Sequence, residues 1–195
     1  MKFSMIGMSL FSGLAFLFTN YKNRLAPIGK SNLPELKNAN TGQTRKDIYE
    51  TLRNQAFMYI PEQPGLLSPS KNLHVYGMVM DWGMDDSTAT IVSYQTGDAG
   101  LYLSTGGRLT GGEQNENVTI AAREFVCLAQ SYVNKAAKTE ANSLPENDVI
   151  KFHFLTNKGI YTGQEELKNL EDNSSSWLDL FEKGNNVLSE LRLKR

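Results

Sequence analysis

The side chains that carry most protein chemistry are sparse in this chain, which has two histidines and one cysteine. His74 and His153 each fall in a strand-like segment, with no Cys, Asp or Glu at the spacing of a metal site or a nucleophile triad. Each therefore reads as a routine exposed or core histidine. Cys127 sits in an apolar helical pattern without a Cys-x-x-Cys partner and reads as a small residue at the edge of a core. A single thiol also excludes an intrachain disulfide and a cysteine-rich metal cluster. Asp81, Asp85 and Asp86 flank Trp82 and Gly83. Their spacing fits no EF-hand loop, and acids around a turn act as solvated caps or Asx-turns. Neither a Gly-x-Ser-x-Gly elbow nor a His-Glu-x-x-His pair occurs. No catalytic, metal or cofactor residue is assigned from these side chains.

One stretch retains binding potential. Ser104-Thr105-Gly106-Gly107-Arg108-Leu109-Thr110-Gly111-Gly112 joins a short apolar strand to the longest amphipathic helix. A helix start offers free backbone N–H groups to an anion. Yet Gly111 is followed by Gly112, Glu113 and Gln114 rather than the Lys-Ser/Thr of a P-loop, and Glu113 and Glu116 oppose a phosphate. The glycines read first as a tight strand-to-helix passage. They could also present a surface, which makes Ser104, Thr105, Gly106, Gly107, Arg108, Gly111 and Gly112 the candidate contacts for a protein partner or an anion.

The elements that must position this stretch follow from hydrophobic period. Thr44 to Tyr59 is a helix with Ile48, Leu52, Ala56 and Tyr59 on one stripe. Strands are expected at Leu73 to Met80, Thr88 to Tyr94 and Gly100 to Ser104, with the turns at residues 83–87 and 95–98 making neighbours antiparallel. Val118 to Lys138 carries apolar residues at three- and four-residue steps and reads as a long helix. Two more strands, Val149 to Leu155 and Gly159 to Thr162, form a hairpin, and a last helix spans Ser176 to Leu191. The expectation is an α+β domain over residues 44–195: a five-stranded antiparallel sheet in the order α-β-β-β-α-β-β-α, with packed helices.

Upstream, residues 3–18 are uncharged and dominated by large apolar side chains, close to the lower limit for crossing a hydrocarbon core of about 30 Å. Lys22, Arg24 and Lys30 follow, against Lys2 in front. This asymmetry predicts an uncleaved N-terminal apolar anchor helix over 1–20 with the body on the cytoplasmic side, then a linker over 21–43. A cleaved signal peptide, and hence an exported protein, and a helix packed at the interface or on the body are the alternatives. Residues 1–40 hold five basic residues and one acidic, and the remainder holds fifteen basic and twenty acidic. A mildly acidic body has no basic stripe for phosphates, so nucleic acid is a poor partner.

The run Tyr76 to Met80, Thr88 to Ser93, Leu101 to Gly107 and Gly111-Gly112-Glu113 before a helix resembles a group of bacterial proteins without an assigned activity, over residues 73–191. The element order is also similar to profilin-like and roadblock-type sandwiches. That likeness implies protein binding or dimerisation, although three strands rather than two precede the long helix. The functional expectation is a non-enzymatic interaction or assembly module of a bacterial membrane-associated system, binding another protein or itself. A small-ligand or anion sensor, or an enzyme, using residues 104–112 is the alternative. No cofactor is expected.

Overall fold

The computed structural model describes residues 44–60 and 72–193. Helix α1 (Arg45–Met58) starts at Thr44, whose hydroxyl accepts from the Asp47 amide while the Asp47 carboxylate accepts from the Thr44 amide. This reciprocal pairing satisfies two donors that the first turn would otherwise leave open. Then come β1 (Val75–Met84), β2 (Ser87–Tyr94), β3 (Ala99–Leu103) and β4 (Arg108–Gly111). Helix α2 (Glu116–Tyr132) is capped by Asn115 and continued by a 3-10 turn at Val133–Lys135. After it lie β5 (Ala137–Thr139), β6 (Val149–Thr156), β7 (Gly159–Glu166), the short α3 (Leu167–Glu171) and α4 (Leu178–Leu193). The strands form one antiparallel sheet in the order β4-β3-β2-β1-β6-β7-β5.

The class is α+β, but the five-stranded expectation is corrected: the described residues hold seven strands and four α-helices. Both additional strands are edges. β4 lies inside the glycine-rich stretch, where four residues are too few for a period to register. β5 occupies what reads as the end of the long helix. Ala137 and Lys138 favour helix intrinsically, yet the chain leaves α2 at Tyr132 and pairs Ala137 with Thr162 and Thr139 with Ile160. β1 also runs four residues past Met80, so Asp81, Trp82 and Gly83 belong to a strand and only Asp85 and Asp86 to the turn. The expected anchor helix over 1–20 and linker over 21–43 lie outside the described residues. Among the described residues no helix is long and apolar enough to cross a membrane.

Alternation along the strands sorts side chains into two unlike faces. Met78, Met80, Trp82, Ile91, Ile150, Phe152 and Phe154 are buried on the face beneath α2 and α4, where Trp82 meets Phe181 edge-on. Gly184 of α4 permits the closest approach, because a Cβ there would lie 2.6 Å from the Met80 methyl. The opposite face carries Tyr76, Val79, Val92, Tyr94 and Leu155, covered by Ala56 and Phe57 of α1. A register shift between Val75 and Gly77 brings Tyr76 to this side.

Near the sheet edge, the Trp177 ring stacks on Phe152 at 5.3 Å between centroids and 6° between planes, and it lies over Gly163, the cross-strand neighbour of Phe152. A Cβ at Gly163 would come within 2.4 Å of that ring. Gly163→Ala should therefore lower stability by about 1–3 kcal/mol through overpacking. The loss should appear as a lower midpoint in urea with an unchanged slope, accompanied by a shift in tryptophan emission.

Candidate functional site

The most unusual feature of the molecule is a buried charge cluster between α1 and the sheet. The alternation that sends Met80 and Trp82 to the apolar side sends Asp81 to the α1 side, fully buried. A carboxylate in that position is tolerated only with charged and hydrogen-bonded partners. Four donors from three elements supply them. Arg53 of α1 donates from Nε to Oδ1 and Oδ2 at 3.2 and 3.1 Å and from Nη2 to Oδ2 at 2.6 Å. Thr90, opposite Asp81 on β2, donates its hydroxyl to Oδ1 at 2.5 Å. His153 of β6 places Nε2 3.2 Å from Oδ2.

The network extends in both directions. Because the Thr90 hydrogen goes to Asp81, the Tyr49 hydroxyl of α1, 2.9 Å away, is the donor to Thr90. When His153 donates from Nε2 to Asp81, Nδ1 is left to accept from the Thr162 hydroxyl of β7 at 2.8 Å. Phe57 closes the cluster, its ring meeting His153 edge-on at 5.0 Å with the Arg53 guanidinium 4.9 Å from its centroid. Arg53 and His153 are 5% and 1% exposed.

Burial pushes the Asp81 carboxyl upward. The hydrogen bonds from His153 and Arg53, with the charge on Arg53, outweigh that and hold it at about 2. The Tyr49 phenol is pushed up to about 12, first by burial and then by the Asp81 charge, so it serves as a neutral donor.

Thr162, His153 and Asp81 have the connectivity of a nucleophile, base and orienting acid. The surroundings use it differently. Arg53 and Thr90 fill the remaining acceptor sites of Asp81, and Thr162 sits mid-strand between β6 and β5. What the arrangement does is hold α1, β1, β2, β6 and β7 at one point.

The glycine-rich stretch is a different object from the one its sequence suggests. Ser104, Thr105, Gly106 and Gly107 form the turn of the β3–β4 hairpin, closed by Gly106 N–H to Leu103 O at 2.9 Å and Leu103 N–H to Gly107 O at 3.1 Å. Gly106 and Gly107 both have φ near +100°, a conformation that side chains resist. Ser104 accepts from the Thr88 amide, and the Arg45 side chain of α1 lies over Gly106. Arg108 begins β4 with an exposed side chain, whereas Gly111 at its other end packs against Val118 and Leu191, and Gly112 against Asp98. The structure thus gathers Ser104 through Arg108 at one tip and places Gly111 and Gly112 at the far end of the strand. The α2 start beside them is capped by Asn115, which accepts from the Val118 amide, with Glu116 in the first turn.

His74 is exposed and pairs with Gln95 at 2.9 Å, and Cys127 is exposed on α2. Asp85 and Asp86 are exposed in the β1–β2 turn. Among the described residues no group of three or more His, Cys, Asp or Glu side chains is placed to hold a metal ion.

Sequence reasoning missed the cluster for identifiable reasons. Asp81 lies just past the expected strand end at Met80 and reads as an acid beside a turn, whereas β1 continues to Met84. Arg53 lies one residue off the expected stripe, since α1 buries Tyr49, Arg53 and Ala56. The partners stand 28 and 72 residues from Asp81, so no local spacing links them. The available signal was parity, because Asp81 shares a strand face with Val79. No protein-family model, curated protein or solved structure matches the chain.

Removing one partner of a buried pair costs more than removing both. Asp81→Asn should lower stability by about 3–5 kcal/mol at neutral pH, and adding Arg53→Met should recover part of that loss. The sign of the pH dependence follows from the lowered Asp81 value. The part set by ionisation of Asp81 itself is present above the unfolded value of 3.8 and is lost as pH falls toward about 2. Urea titrations across that window should show a steeper loss in the wild type than in the Asp81→Asn, Arg53→Met pair.

Proposed function

We propose that this chain is a non-enzymatic interaction or assembly module of a bacterial membrane-associated system, recognising another protein or a second copy of itself. The observation that carries the reading is the apolar run at the end of α1. Met58, Tyr59 and Ile60 are 78%, 43% and 46% exposed. Tyr59 is held by an edge-on contact with Tyr94 at 4.6 Å between centroids, so the run includes an ordered aromatic rather than a loose side chain. Pre-positioned Tyr and Met are the residue types that protein interfaces favour. The charge cluster supports the same reading, because each of its polar groups is engaged by another part of the fold. The tether is proposed from sequence: uncharged residues 3–18 enter the bilayer, and Lys22, Arg24 and Lys30 keep the body on the cytoplasmic face.

Two measurements separate the halves of this proposal. The full chain should float with lipid vesicles, and Leu14→Asp with Phe16→Asp should leave it at the bottom of the gradient. A partner that co-purifies with the detergent-extracted chain should be lost on Met58→Asp with Ile60→Asp while the unfolding midpoint is kept. Flotation of the Asp variant would reject the tether, and retention of the partner would reject the interface.

A further inference from the structure

Helix α1 packs on the sheet face opposite α2 and α4, and its grip is polar to an unusual degree. Its buried residues are Tyr49, Arg53 and Ala56, and the first two reach the sheet through Thr90 and Asp81. Ala56 adds a backbone acceptor, its carbonyl taking the Tyr94 hydroxyl at 2.8 Å. By contrast, α2 buries Val118, Ala121, Ala122, Phe125, Val126, Ala129 and Tyr132. Apolar burial is indifferent to pH, whereas attachment through a shared carboxylate is not.

Asp81 lies within reach of two cationic groups on different elements. Arg53 belongs to the helix and is always charged, whereas His153 belongs to the sheet and is a cation only when its imidazole is protonated. We propose that α1 is a pH-responsive latch. Protonation of His153 supplies Asp81 with a cation from within the sheet, leaves Arg53 without an exclusive counter-ion, and lets α1 lift from β1, β2 and β6 while the rest of the fold stays closed.

The groups facing His153 make the direction of the effect definite. From α1 come the Arg53 charge and the Phe57 ring, with the neutral Tyr49 one step away through Thr90; from β1, Asp81; from β7, the Thr162 hydroxyl. On its own strand, Lys151 is turned away to the Ser143 carbonyl and hydroxyl and the Leu144 carbonyl. With His153 neutral, one carboxylate balances one guanidinium. A second cation leaves a net positive charge where solvent barely reaches, and returning the helix-borne one to water relieves it. Release would bare Tyr76, Val79, Val92, Tyr94 and Leu155.

The test is amide hydrogen exchange on the full chain between about pH 8 and about pH 5.5, corrected for the intrinsic pH dependence of exchange. Protection of the amides from Arg53 to Met58 should fall by about tenfold or more on acidification, while that of Phe125 to Ala129 in α2 holds. Trp82 and Trp177 lie on the opposite face, against Phe181 and Phe152, so their emission should stay constant as α1 opens. His153→Gln should abolish the fall. Flat α1 protection in the wild type, a fall shared equally with α2, or a fall that persists in His153→Gln would each overturn the latch. The wild-type comparison decides even if the variant does not fold.

Discussion

An ionised carboxylate cannot be left alone in a protein interior, and the position of Asp81 makes that constraint organise half of this molecule. Withdrawing such a group from water costs several kcal/mol even after relaxation, so donors must converge on it from whatever elements can reach. Here they come from α1, β2 and β6, and His153 passes the connection on to β7. The same constraint fixes register. Sliding β1 by one residue against β2 and β6 would carry Asp81 to the side of Phe125, Phe152 and Phe181 and bring Trp82 toward α1. An apolar residue at 81 would tolerate such a slip far better, so the charge specifies an arrangement more than it adds to stability.

This gives the two faces of the sheet different physical characters. Beneath α2 and α4 the contacts are dispersion and apolar burial among large side chains, with Gly163 and Gly184 admitting a tryptophan ring and a methionine at distances a methyl group would forbid. Those contacts have no alternative partner and no dependence on protonation. Under α1 the apolar patch around Val79, Val92 and Leu155 is smaller and interrupted by the charge cluster. The two faces therefore hold the sheet by different means, apolar burial on the first and a shared carboxylate on the second.

How far the sequence could be read follows the same division. Wherever burial is apolar and the element long, period alone located it: α2 from Val118, Ala121, Ala122 and Phe125, and the strands around Val79, Ile91 and Phe152. Reading failed where tertiary pairing decides. β5 is three residues whose intrinsic preference is helical, recruited by β7. β4 was hidden because its glycine serves a hairpin and a close approach to Val118 rather than a loop before a helix. The charge cluster was invisible because Arg53, Asp81 and His153 each look ordinary in their own segment. A basic residue on a helix reads as solvated and an acid near a glycine as part of a turn, and only the strand pairings bring the three together. The glycine-rich stretch shows the converse: its composition was conspicuous, yet Gly106 and Gly107 answer to a left-handed turn beneath Arg45.

The hydrogen-bond chain from Thr162 through His153 to Asp81 shows why connectivity alone does not define chemistry. In a nucleophilic relay the carboxylate must keep enough unshared negative charge to stabilise the imidazolium that forms as the hydroxyl loses its proton. Here Arg53 neutralises that charge at 2.6 Å before any proton moves, and Thr90 occupies the other oxygen. Each such donor lowers the proton affinity of Asp81, which is why its carboxyl sits at about 2, and each draws on the attraction His153 could otherwise command. The three groups that would pass a proton in one setting thus serve in this one to join β7, β6 and β1. What decides between the two uses is the guanidinium contributed by α1.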